Sequence, residues 1–274
     1  MPSQSLEEIA VNDGSRPKAI SPKHVADAEW KCRTDLAAFY RIVAMLGWDE
    51  YIFTHISLRL PGPERHFLIN PFGLLYEEVT ASNLVRIDIN GDVVGASDWP
   101  VNKAGFTIHS AIHEARDDAH CVIHTHTTAG MAIAQQPAGL LPTSFYSAMI
   151  VDRLSYHDFE GSVVSDGEKV RLVENLGTNN HLILRNHGLL ACGADVAAAF
   201  SAILTLQRAC EVQLAAQVGD EPLLTIGHDI RNAHRSALNK TVKDAPANDL
   251  SVIERAVFDA MVRKLDRLDP SYRQ

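Results

Sequence analysis

The chain has 274 residues, of which 46% are hydrophobic and 22% charged, ordinary values for a globular protein that builds a real core. Its net charge of -9 and pI of about 5.8 exclude a general electrostatic grip on nucleic acid, which needs a basic stripe. No apolar run approaches the roughly 18 residues of a membrane span, and residues 1–22 lack the apolar centre of a signal peptide, so a cytoplasmic protein without membrane partners is expected.

In chain order, Pro2, Ser3, Ser5, Ser15 and Pro17 mark residues 1–22 as a flexible arm. From 24 to 47, Leu36, Phe39, Val43 and Leu46 fall three and four apart, the spacing of a buried helical stripe, and Gly47 ends it. YIFTHISLRL alternates like a strand, and Pro61-Gly62-Pro63 turns the chain into HFLIN, its expected hairpin partner. Asn70-Pro71-Phe72-Gly73 reads as a turn, with Gly73 taking an unusual φ. In LVRIDINGDVVG, Asn90-Gly91 sits between two alternating runs and predicts a second hairpin.

Residues 103–116 read as a helix carrying Phe106, His109, Ile112 and His113 on one side. CVIHTH is a buried strand and TAGMAIAQ a short helix after it. A helix near 166–176 stops at Gly177, and HLILRNHGLLACG reads as strand, tight turn, strand. The helix over 195–217 places Val196, Phe200, Ile203, Cys210 and Leu214 at helical spacing behind an Asp195 N-cap. Residues 219–248 are polar and contain prolines, the signature of an extended loop. Over 250–268, Ile253, Val257, Met261, Leu265 and Leu268 form an amphipathic stripe that must dock on the main domain or a neighbouring subunit. The expected organisation is an arm (1–22), one globular domain (23–218) and a C-terminal loop and helix (219–274). Cys32, Cys121, Cys192 and Cys210 show no paired spacing and read as buried, reduced thiols.

Side chains two apart on a strand share a face, so His124 and His126 point the same way. Joined by His187 from a neighbouring strand end, they offer three nitrogens and leave a position open, as a catalytic divalent metal site requires. The plainer alternative is a pair of hydrogen-bonded histidines at a strand end. His113 completes an H-x-x-x-H pair with His109 but has no further support, and a surface position is expected for it.

ISLRL, FLINPFGLLYEEVTASNLVRIDINGD, CVIHTHTTAG and LILRNHGLLACG follow one another in an order that resembles the class II aldolase/adducin family, over roughly residues 30–217. AGFTIHSAIHEARDDAHCVIHTHTTAG and LILRNHG are most similar to the adducin head domain and its bacterial relatives. The resemblance implies an α/β fold: an α/β/α sandwich with a central, largely antiparallel sheet, often assembled as a cyclic tetramer with sites at subunit interfaces. In the aldolases a divalent metal, usually Zn²⁺, is held by three histidines and a glutamate and stabilises the enediolate of carbon–carbon bond cleavage. The histidines match His124, His126 and His187; the glutamate falls at Gly105. His109, one turn on, is then a candidate fourth ligand, although the family's histidine there is a packing residue. The aldolases' phosphate-holding serines fall at Lys103 and Ala104, leaving Lys103 as a point charge for an anion. Their substrate-contacting asparagine is His55 in Thr54-His55-Ile56-Ser57-Leu58-Arg59, and Asn70 falls on the substrate side. Their catalytic tyrosine falls near His157 in SYHDFEG, with Tyr156 the adjacent alternative; Asp158 and Glu160 are carboxylates that could replace the missing base. Glu211 reads as a solvent or interface charge.

The resemblance thus implies a metal-dependent lyase acting on a small hydroxy-carbonyl substrate, by aldol cleavage or related enolate chemistry, in a homo-oligomer. The alternative it admits is a non-catalytic, adducin-like metal-binding scaffold or binding module, the role adducin heads keep on the actin–spectrin skeleton. The chain carries no long basic tail like that of adducins, so an actin-network partner is not expected.

Overall fold

The computed structural model describes residues 20, 21, 23, 25–95, 97–161, 166–219, 221–244 and 250–274, so that the arm expected over 1–22 lies outside the described residues save 20 and 21. The apolar runs form strands β1 (His55–Arg59), β2 (Phe67–Ile69), β3 (Val85–Ile87), β4 (Cys121–Thr125), β5 (Leu154–His157), β6 (His181–Leu184) and β7 (Gly188–Gly193). They pair as one sheet in the order β3-β2-β1-β4-β7-β6-β5, antiparallel throughout except for the parallel pair β5–β6.

Every residue of β4 and β7 is buried. A strand covered on both faces has no reason to alternate polar with apolar, which is why these two read as continuous apolar runs. Alternation survives in what each face touches. Cys121, Ile123, Leu189 and Ala191 pack with helices α1 (Asp27–Met45) and α6 (Val196–Ala216). Val122, Leu190 and Cys192 face Ile108 and Ile112 of α2 (Lys103–Ala115) and Leu172 and Leu176 of α5 (Asp166–Leu176). The short helices α3 (Thr128–Ala134) and α4 (Phe145–Ile150) join the α6 side. This is the expected α/β/α sandwich around a largely antiparallel sheet.

Local signals act where they were read. Asp195 caps α6 by accepting from Ala198 N–H at 2.9 Å. Gly177 follows α5 at φ +55°, the left-handed conformation of a helix end. The four cysteines are free; Cys121, Cys192 and Cys210 are buried.

Three expectations need correction. Residues 228–244 are not loop but helix α7 (His228–Asp244). It has no continuous apolar stripe to announce it and is held instead by Arg231 and Arg235, which clamp Asp152 at 2.7 and 2.6 Å. In the last helix, α8 (Leu250–Leu268), Met261 and Leu265 of the predicted stripe dock on the core, but Phe258 and Val262 complete the docked face while Ile253, Val257 and Leu268 stay exposed. Phe258 meets Phe39 and Phe200 edge-on, which seats α8 on α1 and α6. The hairpin expected at Asn90-Gly91 forms but is short: one antiparallel bridge, Ile87 to Val93, flanked by Asp88 N–H to Asp92 O at 2.9 Å and Val94 N–H to Arg86 O at 2.8 Å. His113 is fully buried: its Nδ1 bonds Ala119 O at 2.9 Å and its Nε2 bonds Ser57 Oγ at 2.7 Å. Among the described residues no helix is long and apolar enough to cross a membrane.

Candidate metal centre and its cavity

The pairing of β1, β4 and β7 brings the site together. Register aligns His55 with His124 and His124 with Leu190, and His126 follows one residue beyond the end of β4. His187 stands in the tight turn from β6 to β7, closed by His187 N–H to Leu184 O at 3.1 Å, with Asn186 at φ +57°. Asparagine tolerates that left-handed conformation better than most residues. Gly188 permits the close approach: a Cβ there would lie 2.3 Å from Thr125 O and 3.1 Å from His126 Cδ2. The result is a set of three nitrogens, with His124 Nε2 2.8 Å from His126 Nε2 and 3.2 Å from His187 Nε2.

Hydrogen bonds at the far side of two rings fix where their protons sit. His124 Nδ1 faces Leu189 O at 2.8 Å and His126 Nδ1 faces Glu50 Oε2 at 2.5 Å. Both partners are acceptors, so each Nδ1 carries its proton and each Nε2 presents a lone pair. Burial, reinforced by His126 and His187, holds His124 well below the ordinary histidine range. Burial and then His126 bring His187 down to about 4, against a smaller upward pull from Glu50. Two lone pairs 2.8 Å apart with no proton between them repel, and a cation is what reconciles them. Nitrogens bound tetrahedrally to zinc at ~2.0–2.1 Å stand about 3.3 Å apart, close to the separations here. The second partners, a backbone carbonyl and a carboxylate, are those that orient metal-binding imidazoles. Among the described residues, His124, His126 and His187 are the group whose ligand atoms converge, all within 4.8 Å. The donor set fits a divalent ion.

The three rings open into a cavity of about 230 Å³ that His55, Gly105, His157, Asp158 and Glu168 also line. Other predicted residues lie elsewhere. Lys103 is exposed and pairs with Asp92. Asn70 is buried, its Oδ1 accepting from Tyr40 Oη at 3.0 Å. Tyr156 Oη accepts from Leu140 N–H at 3.0 Å, and the Arg185 guanidinium lies 4.2 Å over its ring. His109 is buried against His55, ring centroids 3.9 Å apart, with its Nδ1 on Ser57 Oγ at 2.8 Å. Glu160 is taken up by Arg171. Two carboxylates escaped the sequence reading, Glu50 and Glu168. Glu50 lies in the short link before β1, where no spacing marks it. Glu168 stands between Gly167 and Lys169, and no apolar spacing in the sequence marks it as buried.

Residues 34–214 match the family model described as Class II Aldolase and Adducin N-terminal domain. The chain belongs to this family. It is 48% identical over 250 residues to a candidate aldolase class 2 protein of Pseudomonas aeruginosa, covering 91% of this chain and 95% of that one. It is 42% identical to alpha-adducin of Rattus norvegicus over 243 residues, 86% of this chain but one third (33%) of adducin. The crystal structure of an aldolase II superfamily protein from Pseudomonas syringae superposes with a TM-score of 0.85 at 41% identity, covering 92% of this chain and 98% of that one.

The residues at 55 and 105 are neighbours in space. A Cβ at Gly105 would lie 2.9 Å from Asn102 Nδ2 and 3.2 Å from His55 Cε1. The His55 ring therefore packs where a side chain at 105 would begin. Asn102 is held there because its Oδ1 caps α2 by accepting from Gly105 N–H at 3.0 Å. His55 Nε2 and His109 Nε2 are both buried without a hydrogen-bond partner among the described residues. Burial and the neighbouring His126 bring His55 down to about 4, so it is a neutral ring.

Proposed function

We propose that the chain is a metal-dependent class II aldolase-like lyase that acts on a small hydroxy-carbonyl compound. His124, His126 and His187 hold the divalent metal, Zn²⁺ by the family resemblance. The observation that carries this reading is the convergence of Nε2 lone pairs whose opposite nitrogens are committed to Leu189 O and Glu50. When bound, such an ion supplies Lewis-acid stabilisation to oxygens of an enolate-like substrate.

The chain's own groups do the rest. His157 accepts a hydrogen bond at Nδ1 from Asn175 Nδ2 at 2.9 Å, which leaves its proton on Nε2 beside the cavity. That favours His157 over Tyr156 as proton donor, because among the described residues His157 lines the cavity and Tyr156 does not. His55 is the uncharged hydrogen-bonding wall that replaces a side chain at 105. In the oligomer expected for this family, a neighbouring subunit narrows the cavity mouth.

A second reading, a non-catalytic adducin-like scaffold, is favoured by one observation: Gly105 stands where the aldolases' catalytic glutamate falls, alongside 42% identity to alpha-adducin. Loss of a general base typically lowers rates by ~10²–10⁴. The two readings separate in a screen of aldehydes and ketones, with and without chelator, on protein of measured metal content. Chelator-sensitive turnover supports the lyase. Full metal content without turnover across the screen supports the scaffold.

A further inference from the structure

A second cavity, of about 250 Å³, lies at the opposite end of β6 from the metal ligands. Among the described residues it shares no lining with the first. Leu182 and Leu184 of β6 pack towards α2 and α5. Alternate residues of a strand take opposite faces, so His181 and Ile183 turn towards α6. There His181 lines the cavity together with Asn180, Arg153 from the turn before β5, and Ser201 of α6. Arg235 of α7 and Glu254 of α8 complete its charged lining.

The charges here leave one cation over. Arg231 and Arg235 share Asp152, at 2.7 and 2.6 Å. Glu254 has a partner of its own and ion-pairs with neither lining arginine. Arg153 is exposed and makes no hydrogen bond or ion pair among the described residues. Three arginines thus stand with two carboxylates, in a chain whose net charge is -9. His181 likewise makes no hydrogen bond among the described residues. Burial and then the nearby Arg153 bring it down to about 4, so its ring is uncharged and offers one N–H. The Ser201 hydroxyl is also without a hydrogen-bond partner among the described residues. An anion between them takes its charge compensation from Arg153 and hydrogen bonds from all three. Donors arriving from three separate elements suit a tetrahedral oxyanion, whereas one guanidinium fork alone satisfies a planar carboxylate.

We infer that this second cavity seats a phosphate group, free or carried by a small metabolite, with Arg153 supplying the charge and His181 and Ser201 further donors. The site is separate from the metal centre and stands or falls apart from it. The test is calorimetric titration of the full-length protein, stripped of metal so that no phosphate is held by zinc, at low ionic strength. The probes are inorganic phosphate and glycerol 3-phosphate. Saturable binding is expected, weakened at least about tenfold in Arg153→Gln but by less than about twofold in Arg65→Gln, which removes the same charge from the β1–β2 turn. Ser201→Ala, which deletes a hydroxyl alone, is expected to weaken it about threefold, and keeps the test open should Arg153→Gln melt early. The tighter probe tells the sources apart: a phosphate ester if glycerol 3-phosphate leads, the free ion if inorganic phosphate does, and either supports the seat. No saturation by either probe up to about 20 mM overturns the inference. So does undiminished binding in a folded Arg153→Gln, or an equal loss in Arg65→Gln, which would reduce the effect to long-range charge.

Discussion

Glu50 Oε2 accepts a hydrogen bond from His126 Nδ1 at 2.5 Å, joining the link before β1 to the end of β4. That contact orients the ring and raises the basicity of the opposite nitrogen. Removing such a partner typically lowers metal affinity by ~10–100-fold. Glu50→Ala is therefore expected to weaken zinc binding within that range while leaving the fold intact, read by competition with a chromophoric chelator. Unchanged affinity would remove Glu50 from the site.

The packing of His55 against position 105 makes a paired prediction. Gly105→Glu alone must push its Cβ into Asn102 and His55, and it is expected to lower the melting temperature. His55→Asn withdraws the ring, so the double variant should recover stability, with a coupling of about 1 kcal/mol or more from denaturant melts of all four proteins. Additive effects would mean the two positions do not share the space.

His113 gives a pH signature apart from any metal. Burial, partly offset by its hydrogen bond to Ala119 O, brings it down to about 3. The unfolded chain takes up a proton below its ordinary value of about 6.5 that the folded chain refuses until pH falls to about 3. Stability is therefore full above about 6.5 and falls as pH drops towards 3, by up to ~1.4 kcal/mol per pH unit from this residue. Melts with chelator present, so that metal release does not contribute, should show this acid limb. His113→Gln should be less stable at pH 7 yet show a shallower limb; an identical limb would contradict the assignment.

How much of this was legible in the chain depended on whether a residue's role left a pattern. β4 and β7 were readable because strands buried on both faces become unbroken apolar runs, and the histidines at their ends inherit their positions from those strands. Helix α7 was not, because Arg231 and Arg235 hold it through Asp152, and salt bridges leave no periodicity in the sequence. His113 was misassigned to the surface because its burial depends on Ser57, on another element altogether. Glu50 and Glu168 show the same limit at the site. Glu50 acquires its meaning from His126, far along the chain, and Glu168 from a burial on the cavity wall that its own stretch of sequence does not announce.

The most direct measurement is the absorption spectrum of the protein titrated with Co²⁺, a reporter that replaces Zn²⁺ and shows its coordination. The account predicts uptake of about one ion per chain, with visible bands of four- or five-coordinate cobalt that vanish in His124→Ala. A spectrum showing only free aqueous Co²⁺, or bands that persist unchanged in that variant, would contradict it.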